Sequence, residues 1–235
     1  MATFVLVHGA WHGGWCYARV ARKLRAAGHE VYTPTLTGVG ERAHLACLDV
    51  TLSLHIKDIC NVIKYENLND FILCGHSYGG LVITGVAAEL GERIRTLFYL
   101  DAFVPDDGQC LFDFLPAEQV SGFVLGAKAT GGHLPPIPTA AFNVNAADAA
   151  WVEQTCVPQA IATFAEPVKL TGKEKKVKNR TYVLATGYDM HVFDQFHEKL
   201  KGDRAWKVRT AACGHDVMLD MPDELTKLLL EEVDR

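Results

Sequence analysis

The sequence predicts an α/β architecture: a mostly parallel sheet of about six strands with helices on both faces. Three observations lead there. Short β-branched and aromatic runs alternate with longer runs of helical spacing, the pattern of strand–helix–strand units around a parallel sheet. The first run, Thr3 to Val7, is β-prone without polar alternation, as a strand covered on both faces should be. A glycine-flanked serine pentad lies where one strand hands over to a helix.

In chain order, Tyr17 to Ala27 follows the first strand with helical spacing. Val20 and Leu24 share one face, and Gly28 is a stop signal. Glu30 to Thr33 reads as a second strand. Leu52 to Tyr65 is a helix, with Leu52, Ile56, Ile59 and Ile63 on one stripe. Phe71 to Cys74 is the strand before the pentad, and Leu81 to Ala88 the helix after it. Thr96 to Leu100 is a fourth strand. The rhythm then stops. From about Pro105 to Lys178 the chain holds most of its prolines, several glycines and short amphipathic pieces. Thr181 to Ala185 resumes the strands, Phe193 to Leu200 is helical, and Trp206 to Arg209 is the last strand. Pro222 to Val233 closes the chain as a helix, with Pro222 suited to its first turn. The expected division is a core over 1–104, an inserted cap over 105–178 and the rest of the core over 179–235.

Composition bounds the function. Of 235 residues, 49% are hydrophobic and 22% charged, which is ordinary globular composition. A net charge of −5 argues against nucleic acid as the main partner. No apolar run approaches the length of a membrane span, and no basic leader precedes Thr3, so a cytoplasmic location is expected. The seven cysteines form no C-x-x-C pair or zinc-like cluster. Cys47, Cys60 and Cys74 fall in apolar runs and are expected as buried thiols.

The chemistry centres on Gly75-His76-Ser77-Tyr78-Gly79, a G-x-S-x-G pentad. On a sharp strand-to-helix turn the serine takes strained backbone geometry and exposes its hydroxyl above the sheet. A serine hydroxyl is a weak nucleophile. It needs a base within reach and an acid to orient that base. His215, in the loop after the last strand, is the candidate base, because strand carboxyl ends are where ligands meet such a sheet. Two aspartates compete for the acid: Asp189 after the strand Thr181 to Ala185, and Asp101 after the strand Thr96 to Leu100. Asp189 is favoured, because it follows the strand just before the histidine's own. Asp101 is then expected to line the pocket floor or bond locally. The oxyanion donors expected are the backbone N–H groups of Tyr78 and Ala10. The glycine-rich run His8 to Trp15 lacks the lysine and spacing of a phosphate loop. His8 is expected to be structural.

With these residues placed, the chain resembles the α/β-hydrolase group of plant methylesterases, polyneuridine aldehyde esterase and α-hydroxynitrile lyases, together with bacterial carboxylesterases, some acting on pyrethroid-like esters. The resemblance rests on His8-Gly9-Ala10-Trp11-His12-Gly13-Gly14-Trp15, on Leu24 through Val31, on Gly75 through Gly80, on Ala102-Phe103-Val104-Pro105 and on Gly214-His215-Asp216. It implies the α/β-hydrolase fold with nucleophile, acid and base on Ser77, Asp189 and His215. Oxyanion donors on Ala10 and Tyr78 follow from it too. Lyases of this group carry a threonine where this chain has Gly9 and a lysine where it has Asp216. An aspartate there has the wrong charge to stabilise departing cyanide.

The expected activity is therefore a serine carboxylesterase that needs no cofactor or metal. Its partner is a small-molecule ester, with no nucleic acid or membrane; a homodimer is left open. Gly9, Trp11, Asp101, Phe112, Phe123 and Trp151 are the expected pocket residues. The alternatives are a carbon–carbon lyase using the same triad as a base, and a non-catalytic receptor on the same fold.

Overall fold

The computed structural model describes residues 1–235. Six strands form one sheet: β1 (Thr3–Val7), β2 (Glu30–Tyr32), β3 (Phe71–Ser77), β4 (Ile94–Ala102), β7 (Asn179–Ala185) and β8 (Trp206–Ala211). Their order is β2-β1-β3-β4-β7-β8, and every pairing is parallel. The α/β reading of the sequence therefore holds. β1 and the central strands carry the continuous apolar runs because helices cover both faces.

Chain direction across the sheet reverses after β2. Right-handed crossovers then place α1 (Ala18–Ala26) and α2 (Leu52–Tyr65) on opposite faces. α1 packs with α10 (Pro222–Leu230), and α2 packs with α3 (Gly79–Leu90). The stripe Leu52, Ile56, Ile59 and Ile63 is buried as its spacing predicts, and Thr51 caps α2 by accepting from Leu54 N–H. The same reversal opens a crevice at the carboxyl ends of β1 and β3, the place where ligands bind open sheets.

Between β4 and β7 lies a long segment outside the six-stranded sheet. It holds α4 (Ala117–Ala129), β5 (His133–Leu134), α5 (Thr139–Phe142), α6 (Ala149–Thr155), β6 (Gln159–Ala160) and α7 (Ala162–Ala165), with β5 and β6 paired antiparallel. After β7 come α8 (Asp194–Leu200) and, before α10, the short α9 (Val217–Asp220).

Three expectations need adjusting. The helix expected from Tyr17 starts as a tight turn over Gly14–Tyr17 and becomes α-helical at Ala18. Cys47 is exposed rather than buried, although Cys60 and Cys74 are buried. β4 is longer than predicted and runs past Leu100, so Asp101 belongs to the strand instead of the loop after it.

Candidate active site

Ser77 is the last residue of β3 and has φ +53°, in the left-handed region that a residue with a Cβ avoids. Holding it there costs on the order of 1–3 kcal/mol. The flanking glycines make the turn feasible. A Cβ on Gly75 would stand 2.5 Å from the Gly79 carbonyl oxygen, and one on Gly79 would stand 2.8 Å from that of His8. Only bare backbone can cross at these points.

A second strained residue faces it across the sheet. His76 pairs with Leu100, but Ser77 pairs with Ala102, so Asp101 is an extra residue in β4. Its φ is +43°. This is a β-bulge, and bulges beside functional sites re-aim a side chain. Here the bulge brings the Asp101 carboxylate under His215. His215 Nδ1 donates to Asp101 Oδ2 at 2.6 Å, and both side chains are buried. Asp101 Oδ1 accepts the Ala185 N–H at 3.0 Å. Tyr188 donates its hydroxyl to the same Oδ2 at 2.5 Å. Tyr188 Oη and His215 Nδ1 lie 3.2 Å apart because both donors converge on one oxygen. The carboxylate thus receives three donors, and the imidazole carries its proton on Nδ1. Rings of Phe142 and Phe193 flank the imidazole, with centroids at 5.0 and 5.1 Å.

Asp189, the acid favoured from sequence, is exposed, and His215 Nδ1 is bonded to Asp101 instead. The physical reason lies in the turn after β7. Tyr188 points inward and fills the approach that an acid from this strand would need, which turns the next side chain out to solvent. Asp101 therefore replaces Asp189 as the partner of His215, and it lies beneath the imidazole rather than on the pocket floor.

On the cavity side, neither His215 Nε2 nor Ser77 Oγ makes a hydrogen bond within the protein. Apo sites of this kind often tighten only with substrate bound. The N–H groups of Ala10 and Tyr78 likewise have no acceptor in the protein. Tyr78 is the cap of α3, and its side chain is fixed by donating to His55 Nδ1 at 2.9 Å. His55 Nε2 donates to the Thr37 carbonyl. Burial lowers the His55 pKa to about 4, so it stays neutral and accepts from the phenol.

A buried histidine network backs the site. His8 is neutral, its pKa lowered to about 3 by burial, and its Nε2 accepts the Leu36 N–H. Burial also holds His76 well below the usual histidine range. His76 Nε2 donates to the His215 carbonyl at 3.0 Å. His12 behaves oppositely. Both its nitrogens face acceptors, the Ala10 carbonyl at 2.7 Å and Asp216 Oδ2 at 3.2 Å. Burial opposes its charge, but the Asp216 carboxylate outweighs burial and raises the pKa well above the usual value. Burial likewise opposes ionisation of Asp216, and His12 overcomes it. A buried imidazolium–carboxylate pair therefore ties the loop after β1 to the loop after β8.

Ser77 and His215 open into one cavity of about 460 Å³. Its walls are almost wholly apolar: Trp11, Phe123, Phe142, Phe164 and Phe193 supply the aromatic surface. Of the predicted pocket residues, Trp11 and Phe123 line it. Phe112 sits behind, packed on Phe123 and Phe164. Trp151 is 41% exposed and lies against Trp15, away from the cavity. Gly9 lies under the nucleophile; a Cβ there would be 3.0 Å from Ser77 Cβ and 2.8 Å from His76 Nδ1. No group of three or more His, Cys, Asp or Glu is arranged to hold a metal ion.

The sequence reading missed Tyr188, His12 and Asp216 as site residues. One signal was available for the acid. Asp101 stands inside the apolar run Thr96 to Val104, and an aspartate is almost never buried without a partner.

Comparison with known proteins bears on this geometry. A model of the Alpha/beta hydrolase family matches residues 4–228. A carbendazim hydrolyzing esterase from Nocardioides sp. is 51% identical over 97% of this chain and 98% of its own length. Methylesterase 1 of Arabidopsis thaliana is 33% identical over 44% of this chain and 40% of its own length. A solved extracellular alpha/beta-hydrolase from a Paenibacillus species superposes with a TM-score of 0.85, at 27% identity, over 99% of both chains. That protein shares structural and functional homology with tobacco salicylic acid binding protein 2.

Proposed function

The chain belongs to the alpha/beta hydrolase family, and on that premise we propose that it is a serine carboxylesterase acting through Ser77, His215 and Asp101. One observation carries the reading. The His215 imidazole is held at Nδ1 by a buried carboxylate at 2.6 Å, while its ring and Ser77 meet at one apolar cavity.

In this reading His215 Nε2 takes the Ser77 proton as Oγ attacks the ester carbonyl. Asp101 holds the tautomer that leaves Nε2 free to accept, and it stabilises the imidazolium that forms. The tetrahedral oxyanion is bound by the Ala10 and Tyr78 N–H groups, which have no competing acceptor. His215 then protonates the leaving alcohol and activates the water that releases the acid. Residues 105–178 act as a cap over the core segments 1–104 and 179–235.

Flat, apolar substrates fit this cavity best, because aromatic faces dominate its wall. The carbendazim hydrolyzing relative supports extending the class from simple esters to methyl carbamates of planar heteroaromatics. Lyase chemistry is disfavoured on two counts. The Gly9 site is too close to Ser77 Cβ for an added side chain, and Asp216 is locked in its ion pair with His12.

The test is a panel of p-nitrophenyl acetate, a methyl benzimidazolyl carbamate and mandelonitrile. The reading expects hydrolysis of the first two and no cyanide release above background. Cyanide release at a rate comparable to ester hydrolysis would overturn it, and binding without turnover of any ester would favour a receptor.

A further inference from the structure

The loop carrying the Ala10 oxyanion donor is strained and is held in place by the inserted segment. Trp11 has φ +64°, in the left-handed region, although it is a bulky aromatic residue. Such a residue relaxes unless its surroundings over-determine it. All three polar atoms of Trp11, and the carbonyl of Ala10, are hydrogen-bonded. His12 Nδ1 donates to the Ala10 carbonyl at 2.7 Å. Val157 N–H donates to the Trp11 carbonyl at 3.0 Å. Trp11 Nε1 donates to the Leu134 carbonyl at 3.0 Å. Trp11 N–H donates to Gln159 Oε1 at 3.0 Å. Three of these four partners lie in the inserted segment.

Of these three, only Gln159 reaches Trp11 with its side chain. It is 2% exposed. Its Nε2 donates to Thr163 Oγ1 at 2.8 Å, and Thr163 passes its own proton to the Ala160 carbonyl at 2.7 Å. This relay fixes which end of the amide faces Trp11, because Thr163 has no proton left to give Gln159. An acceptor is thereby aimed at the strained peptide from a buried side chain. The peptide so fixed directly follows Ala10, whose own N–H is free of acceptors.

We infer that Gln159 is a positioning residue for the oxyanion hole, holding the Ala10–Trp11 peptide in the orientation that aims the Ala10 N–H at the reacting carbonyl. The inference rests on the esterase reading and on Ala10 as donor. It means that the inserted segment acts on the chemical step as well as on substrate choice.

The test uses the full chain with p-nitrophenyl acetate, which is too small to need the aromatic wall. Gln159→Met keeps the side-chain length and removes the acceptor. Deleting an oxyanion donor outright costs about 10²–10³ in kcat, so a misaimed one should cost roughly ten- to a hundredfold. The expected result is that loss in kcat, with KM within about twofold and the pH dependence of kcat/KM unchanged, since His215 and Asp101 are untouched. Thr163→Val, which frees the Gln159 amide, should lose less, and Gln159→Glu, which retains an acceptor oxygen, should recover part of the loss. Should Gln159→Met not fold, Gln159→Leu, which also lacks the acceptor, is read by the same criterion. A folded variant with parental kcat overturns the inference, as does a loss confined to KM, which would make Gln159 a pocket-shaping residue. Ser77→Ala run in parallel separates the two claims. Full activity in Gln159→Met beside a dead Ser77→Ala sinks this inference alone, whereas an active Ser77→Ala sinks the esterase reading beneath it.

Discussion

Replacing Asp101 by asparagine probes the reassigned acid directly. The side chain keeps its size, so the bulge in β4 and the packing under His215 are retained. What changes is the donor–acceptor balance. Both carboxylate oxygens face only donors: Ala185 N–H on Oδ1, and His215 Nδ1–H with the Tyr188 hydroxyl on Oδ2. An amide offers one acceptor oxygen and one NH₂ group. If the oxygen stays on Ala185, the NH₂ faces His215 and forces the proton from Nδ1 to Nε2. The imidazole then cannot accept the Ser77 proton. If the oxygen faces His215, the NH₂ collides with the Ala185 N–H, and the negative charge that stabilises the imidazolium is still absent. Either way the transition state loses its ion pair. The equivalent change in the best-studied serine triad lowers kcat by about 10⁴, which corresponds to roughly 5 kcal/mol of barrier. Asp101→Asn should therefore lose about three to four orders of magnitude in kcat on p-nitrophenyl acetate. Asp189→Asn, an exposed position, should stay within about twofold. Steady-state kinetics on both folded variants check this. Comparable losses, or the reverse ranking, would refute the placement of the acid on β4.

Tyr188→Phe removes one of two donors on Asp101 Oδ2, and a carboxylate relieved of a donor holds the imidazolium more tightly. The His215 Nδ1–H proton resonance should therefore move downfield as its bond to Asp101 tightens; an unmoved resonance would make the phenol a bystander. The His12–Asp216 pair makes a pH-dependent contribution to stability. The raised His12 pKa gives stability that is complete below the unfolded value of about 6.5 and fades as pH rises towards the folded value; the depressed Asp216 pKa gives stability that is complete above about 4 and fades on acidification. Denaturant titrations should therefore show the difference between parent and His12→Gln largest between about pH 4 and 6.5 and shrinking above it, and a pH-independent difference would mean that His12 is neutral. Phe123→Ala should alter the preference for bulky aromatic esters over acetate by about 1–3 kcal/mol, while Trp151→Ala should leave the ranking alone, because only the first lines the cavity.

Much of this was legible in the residues. The sheet and its helices followed from runs whose burial pattern matches their periodicity, such as Thr3 to Val7 and the Leu52–Ile63 stripe. Ser77 and His215 were legible because one ends a strand and the other lies in the loop just after one, both marked by local sequence. The acid was not, for a specific reason. Asp189 follows an apolar run while Asp101 lies within one, and only a one-residue register shift between β3 and β4 turns Asp101 under His215. A bulge is set by pairing between strands, so no local pattern announces it. Tyr188 was hidden by the same fact, since its inward orientation matters only once the acid lies elsewhere. His12 and Asp216 are 204 residues apart. Their charges read separately as a glycine-loop histidine and a misplaced lyase position, and only the fold makes them a pair. Trp151 shows the opposite failure: aromatic character marks a surface for burial without saying against what, and this one packs on Trp15 at the exterior.

Covalent capture of the nucleophile tests the central claim most directly. The protein would be treated with a fluorophosphonate, weighed intact and mapped by peptide mass spectrometry, beside the Ser77→Ala variant. The account predicts one adduct per chain, located on Ser77, with labelling and ester turnover both lost in Ser77→Ala while the thermal unfolding transition is kept. An adduct on any other residue, or ester turnover persisting in the folded alanine variant, would contradict it.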